Sequence, residues 1–273
     1  MAYVKTAEEL ARYRQYHSSY EEHFQRLTVQ FSTTEAFARE VLPPCFEVPA
    51  EPTGSVSIGA ARVSYDGSMI TDESEYATLK LRAGHRGVEG NFVLSAIVNG
   101  DMMISLGREA WGMPKKRGET RLYDDGKVMY GFSERRGTRL IELEAAVGPD
   151  AGPQPEASYR FFELKAWMAP GGAGLHHPPE VVAFDGVARQ HVLREGDPES
   201  VRLRLTGTAA DPVDTVPVLG INRVFAEYGV SVTTLAYAET LTDADYEPWV
   251  YGRSWDDLGD PALRPFAPAA ALA

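Results

Sequence analysis

The sequence predicts a mainly β protein of the α+β class: a large antiparallel β-barrel or sandwich that carries a few peripheral helices. Strand-like segments recur at about 10–15 residue spacing from Val56 onward. Turn pairs separate them, at Asp66-Gly67, Asn99-Gly100, Asp125-Gly126 and Arg136-Gly137. Two segments, Arg139-Leu-Ile-Glu-Leu-Glu and Val201-Arg-Leu-Arg-Leu, alternate polar and apolar residues as half-buried antiparallel strands do.

The elements follow in order. Thr6-Ala7-Glu8-Glu9 is a capping box, and it opens a helix with Leu10, Tyr13, His17, Tyr20 and Phe24 on one face. Ser32-Thr33-Thr34-Glu35 is a second one, opening a short helix that ends near Pro43-Pro44. Strands are then expected at 56–65, 75–83, 91–98, 128–133, 139–147, 159–167, 181–184, 187–194 and 201–206. The glycine- and proline-rich stretches 148–156 and 169–179 read as loops. Residues 213–228 predict a helix interrupted at Pro217, followed by a strand over 230–237. Neither loop demands a boundary, so one domain is expected over 1–260. The Ala- and Pro-rich tail over 261–273 is expected to be flexible or to serve as an assembly contact.

Composition narrows the function. Of 273 residues, 44% are hydrophobic and 24% charged, the balance of an ordinary globular protein. There is no run of about 18 apolar residues, so no helical membrane span is expected. The first residues lack the apolar core of a signal peptide, and a lone Cys45 excludes an internal disulfide framework. Together these point to the cytoplasm. A net charge of −12 argues against nucleic-acid or anionic-membrane partners, which need a basic face. It leaves room for an anionic substrate in a local cationic pocket.

The densest chemical signal is Gly107-Arg-Glu-Ala-Trp-Gly-Met-Pro-Lys-Lys116. A lysine pair is usually solvated, but this one follows the apolar run Met102-Met-Ile-Ser-Leu, and Trp111 and Met113 can wall a pocket. Pro114 fixes the direction in which the lysines enter. A lysine attacks a carbonyl only as free base, and at an ordinary pKa of 10.4 only about one in 2500 is neutral at pH 7. Neighbours in an extended segment point to opposite sides, so Lys116 need not approach the Lys115 nitrogen. If the two ammoniums sat about 6 Å apart, repulsion of about 2.8 kcal/mol would lower a pKa by roughly two units. Burial must then supply the rest.

Gly107-Arg108-Glu109, five residues and then Lys115-Lys116 resembles the signature of the acetoacetate decarboxylase family, and the resemblance extends more weakly over about Phe31 to Leu241. That family is itself the standard example of a lysine activated by its surroundings, so the chemistry below is implied by the resemblance. The resemblance implies a closed antiparallel barrel enclosing a central cavity, a Schiff-base lysine at the first of the pair, Lys115, and no diffusible cofactor. It also implies a small keto acid substrate and a homo-oligomer. Lys116 is the expected modulator, while Arg108 and Glu109 are expected to brace the lysine segment. A glutamate at the start of one strand faces the lysine in the family. The ungapped register places Tyr76 there, with Glu75 one residue off and Glu73 in the same acidic cluster, so the face is left open among them. The family's pocket arginine falls at Phe24, with Arg26 two positions away.

The implied reaction is β-keto acid decarboxylation. Aldolase–dehydratase or cyclase chemistry on pyruvate-like substrates uses the same lysine, and a non-catalytic binding barrel is the further alternative. Other constellations are weak. His176-His177 lacks a third ligand at helical spacing, so no metal is expected. Gly171-Gly-Ala-Gly174 lacks the strand-to-helix setting of a phosphate loop. Tyr246, Trp249 and Tyr251 suggest packing or a subunit contact, and Cys45 reads as a small buried hydrophobe.

Overall fold

A computed structural model describes residues 3–254, apart from residues 66 and 70. The expected tail over 261–273 lies outside the described residues. Thr6 opens helix α1 (Ala7–Ser18) with both halves of the capping box formed. The helix then stops earlier than predicted, and the chain passes directly into strand β1 (Ser19–Ser32). Tyr20 and Phe24 therefore belong to a strand. Their four-residue spacing satisfies a helical and a two-residue period equally, which is why the sequence misleads here. Helix α2 (Glu35–Val41) is capped by Thr34 and not by Ser32.

Next come β2 (Thr53–Tyr65), the short β3 (Ser68–Met69), β4 (Ser74–His85) and β5 (Val88–Val98). Helix α3 (Asp101–Ser105) runs into a π-helical turn at Leu106–Trp111 and then into β6 (Lys115–Arg117). Beyond it lie β7 (Glu119–Asp124), β8 (Val128–Arg135), β9 (Thr138–Ala146) and β10 (Ala157–Lys165). Strands β11 (Glu180–Glu195), β12 (Arg202–Leu205) and β13 (Gly220–Thr240) precede the last described helix, α4 (Glu247–Ser254). Two predicted strands are thus one, β11, whose register shifts between Ala183 and Phe184 and again between Gln190 and Val192. The helix expected over 213–228 is instead a 3-10 turn, Val213–Thr215, followed by β13. Proline at 212 and 217 stops a helix, and β13 lies between two strands that supply its hydrogen bonds.

Seven strands close a barrel in the order β1-β13-β11-β10-β5-β4-β2, with β2 pairing back to β1. The barrel is mixed and not wholly antiparallel: β10 and β6 both run parallel to β5. A parallel pair needs a crossover of about a dozen residues or more, and α3 with the π-helical turn provides it between β5 and β6. A four-stranded sheet, β12-β9-β8-β7, covers one side of the barrel. The main core lies between them, where Ile58, Leu79 and Phe92 join Met129, Ile141 and Leu143 in one apolar cluster. A second cluster, including Tyr20, Phe24, Tyr76, Trp111, Phe161 and Phe184, surrounds the lysine segment. Tyr246 is sealed in the core and Trp249 packs against it, whereas Tyr251 is exposed. Cys45 packs partly buried against the core, where burial pushes its thiol up to about 12. Among the described residues, no helix is long and apolar enough to cross a membrane.

Candidate active site

The barrel encloses a cavity of about 460 Å³. Its wall is written in the alternation of the strands. In β1 the even-numbered residues Tyr20, Glu22, Arg26, Thr28 and Gln30 line it; in β4 Tyr76, Thr78 and Lys80 do. Lys115 enters from β6, directly beside Ala96 of β5.

The Gly107–Lys116 string is a mount for that lysine. Gly107 lies against its side chain: a Cβ on Gly107 would stand 2.5 Å from the Lys115 Cδ and 2.9 Å from Nζ. Only glycine leaves the space. Gly112 ends the π-helical turn with φ at 78°, in the left-handed region that glycine adopts freely. Arg108 braces the strand by donating from Nη1 to the Lys115 carbonyl at 3.1 Å. Trp111 is buried, donates its Nε1 proton to the His17 carbonyl and stacks on Tyr20 at 4.4 Å between centroids. The Lys115 Nζ lies 6.0 Å from the Trp111 ring centre and donates to the Met103 carbonyl at 3.1 Å. Met113 lines the cavity, while Glu109 is exposed away from it, in a separate surface hollow with His17 and Lys165.

Burial pushes the Lys115 ammonium down to about 8, against the pull of Glu22 and Glu163, which favour the charge. At that value roughly one lysine in ten is free base at pH 7, some two hundred times the ordinary fraction. Lys116 has no part in this. Its side chain leaves the opposite face of β6 and donates to the Ala210 carbonyl at 2.6 Å and to Asp211 Oδ1 at 3.1 Å. Arg135 holds the other Asp211 oxygen at 2.6 Å. The expected modulation of Lys115 by Lys116 is thereby corrected: the two-residue alternation of a strand separates their side chains.

The acidic cluster resolves in the same terms. Tyr76 faces the cavity, buried, and its hydroxyl makes no hydrogen bond among the described residues. Burial raises its phenol above the ordinary range, with the Arg26 guanidinium pulling the other way. Glu75 points to the opposite face, where it meets Asn99 at 3.0 Å and Arg121. Glu73 stands at the surface beside Arg62. Neither carboxylate lines the cavity, which corrects their expected placement toward the lysine. Arg26 does line it, two residues along the same face of β1 from Phe24, and its Nε donates to Glu227 Oε1 at 2.6 Å.

The structure adds groups that sequence reasoning missed. Glu22 lines the cavity and makes no hydrogen bond or ion pair among the described residues. Glu227 is buried between Arg26 and Gln190. Glu163 is fully buried, with one oxygen on Arg253 at 3.1 Å and the other unpartnered among the described residues. Burial pushes it up to about 8, although Arg253, Lys115 and Lys80 all pull it down. Lys80 lines the cavity, and burial pushes it down to about 8 as well. The signal for Lys80 was present, since a strand that turns Tyr76 inward also turns residue 80 inward.

Comparison with known proteins agrees with this geometry. The family model for acetoacetate decarboxylase (ADC) matches residues 6–244. Among solved structures, one from structural studies of acetoacetate decarboxylase superposes with a TM-score of 0.68 at 17% identity, covering 82% of this chain and 89% of that one. Acetoacetate decarboxylase from Legionella pneumophila gives 0.67 at 18% identity, covering 84% and 88%. The enduracididine biosynthesis enzyme MppR, complexed with the condensation product of pyruvate and imidazole 4-carboxaldehyde, gives 0.65 at 17% identity, covering 83% and 90%. No curated protein shows significant sequence similarity to the chain. These identities bear on the fold; the family match carries more. With the lysine mount, the barrel and the match over most of its length in agreement, the chain belongs to the acetoacetate decarboxylase family.

Proposed function

We propose that the protein is a Schiff-base-forming carbon–carbon lyase that acts on a small keto acid through Lys115. The observation that supports this best is a lysine buried in the cavity wall, hydrogen-bonded among the described residues to one backbone carbonyl alone and brought down to about 8. The neutral amine adds to the substrate ketone, water leaves, and a protonated imine forms on Nζ. When a β-keto acid is bound, the bond to the carboxylate breaks, CO₂ departs, and its electron pair moves through the enamine to the imine nitrogen. Proton transfer to carbon and hydrolysis return the product ketone and the free lysine. The lysine is the electron sink, so no diffusible cofactor is invoked.

Glu22 is the group we assign to proton transfer. It is a cavity carboxylate without a partner among the described residues, and of the acidic groups it acts most strongly on Lys115. Tyr76 stays protonated at neutral pH and serves as a hydrogen-bond donor to bound substrate. A second reading is favoured by volume. About 460 Å³ is drug-sized space, enough for a keto acid and an aldehyde together. In that case loss of a C–H proton gives the enamine, which attacks the aldehyde.

Product analysis by mass spectrometry, after incubation with acetoacetate and separately with pyruvate plus an aldehyde, tests the assignment. Acetone and CO₂, or a condensation product, should form with the wild type and be absent with Lys115→Ala. Consumption of neither substrate class, or equal turnover by Lys115→Ala, overturns it. Self-association, expected from the resemblance, is checked by light scattering at micromolar concentration, where a monomer contradicts it.

A further inference from the structure

Four cations line the cavity, and three are already engaged. Arg26 is tied to Glu227 and Arg223 to Glu195, and the Lys115 nitrogen becomes part of the imine. Lys80 is different. It is half-buried in the cavity wall, and among the described residues it makes no hydrogen bond and no ion pair. A cavity-facing ammonium with no protein partner is a site for an anion. We propose that Lys80 binds a substrate carboxylate, distinct from any lost as CO₂, while Lys115 bonds the ketone, so that the cavity selects keto acids that carry such a carboxylate several bonds from the carbonyl. This rests on Lys115 being the imine-forming residue.

Strand pairing sets the span. Lys115 lies beside Ala96 of β5, and Ala96 lies beside Thr78 of β4. Lys80 follows two residues further along the same face. Two strand spacings across and two residues along place the Lys80 and Lys115 Cα atoms about 12 Å apart. The substrate must bridge the two side-chain nitrogens carried on this frame. Acetoacetate, with one methylene between ketone and carboxylate, is a short bridge.

The groups that act electrostatically on Lys80 are Arg26, Glu22, Glu163 and Glu227. Glu227 is committed to Arg26 and Gln190, and Glu163 to Arg253 behind the wall. Glu22 is the uncommitted carboxylate, and it is needed at the imine. A substrate carboxylate at Lys80 supplies the missing counter-charge without recruiting it.

A ruler of keto acids tests this. Pyruvate, acetoacetate, levulinate and 5-oxohexanoate place zero, one, two and three methylenes between ketone and carboxylate; 2-butanone is the neutral control. Each is reduced onto the protein with borohydride, and the Lys115 adduct is quantified against ligand concentration. The wild type should reach half-saturation at lower concentration with levulinate or 5-oxohexanoate than with pyruvate or acetoacetate. Lys80→Met should raise those concentrations ten- to a hundredfold, leave 2-butanone unchanged, and be rescued by Lys80→Arg. Lys80→Gln repeats the test should the methionine variant not fold, with 2-butanone trapping as the check on folding. Trapping at Lys115 with the same length preference in wild type and Lys80→Met overturns the role of Lys80, as does a label on Lys80 itself. No adduct with any ligand, 2-butanone included, overturns the imine reading beneath it.

Discussion

Replacing Lys115 with methionine should make the protein more stable at pH 7, although it removes the reactive group. The folded site holds this lysine near 8, against an ordinary 10.5. The unfolded chain therefore keeps a proton that the folded site tends to release, and folding is penalised wherever that proton is bound. Two and a half units at 1.36 kcal/mol each make the full penalty about 3 kcal/mol. It applies in full below pH 8, falls to about 2 kcal/mol at pH 9 and nearly vanishes by 10.5. Methionine matches the stem and carries no charge, but forfeits the hydrogen bond to the Met103 carbonyl, about 1 kcal/mol. The net gain is about 2 kcal/mol at pH 7 and about 1 kcal/mol at pH 9. Urea unfolding of both proteins at the two pH values measures it. A variant that is less stable at pH 7, or a difference that does not change with pH, refutes the reasoning.

Four further outcomes follow from the geometry. Gly107→Ala puts a methyl group on the Lys115 stem; it should cost about 1–3 kcal/mol by overpacking and displace the lysine, so calorimetry and imine trapping should fall together. Lys116→Met breaks a buried ion pair with Asp211 and should cost about 3 kcal/mol, yet leave the rising limb of the pH–rate profile where it was. Glu22→Gln should lower turnover about a hundredfold while imine trapping at Lys115 persists, separating proton transfer from addition. Turnover of the wild type should rise with pH toward a plateau above about 8 as Lys115 loses its proton, and a flat profile between pH 6 and 9 would count against it.

Much of the site was legible in the residues, for identifiable reasons. The glycine, arginine and proline around Lys115 act locally, within one turn and one short strand, so their spacing carried the meaning. The opposite faces of Lys115 and Lys116 followed from the strand period alone. What was missed depended on register between distant strands. Tyr20 and Phe24 of β1 fit a helical period as well, and that ambiguity hides Glu22 as a cavity residue on the same strand face as Arg26. Glu163 sits in the apolar run Tyr159-Arg-Phe-Phe-Glu-Leu-Lys, where nothing local says that a carboxyl is enclosed near two lysines. The helix expected before Tyr228 failed because pairing with β1 and β11 outweighed local propensity. Parallel pairing of β5 with β6 and β10 is likewise a property of the closed barrel, and no segment announces it.

The central claim is that Lys115 is the amine that bonds substrate, and peptide mapping after reduction tests it most directly. The protein is incubated with acetoacetate at pH 8, treated with borohydride, digested and sequenced by mass spectrometry. The account predicts one stable adduct, on Lys115, absent without keto acid and forming faster as pH rises from 6 to 8. An adduct on Lys80, Lys116 or any other lysine, with Lys115 unmodified, contradicts it.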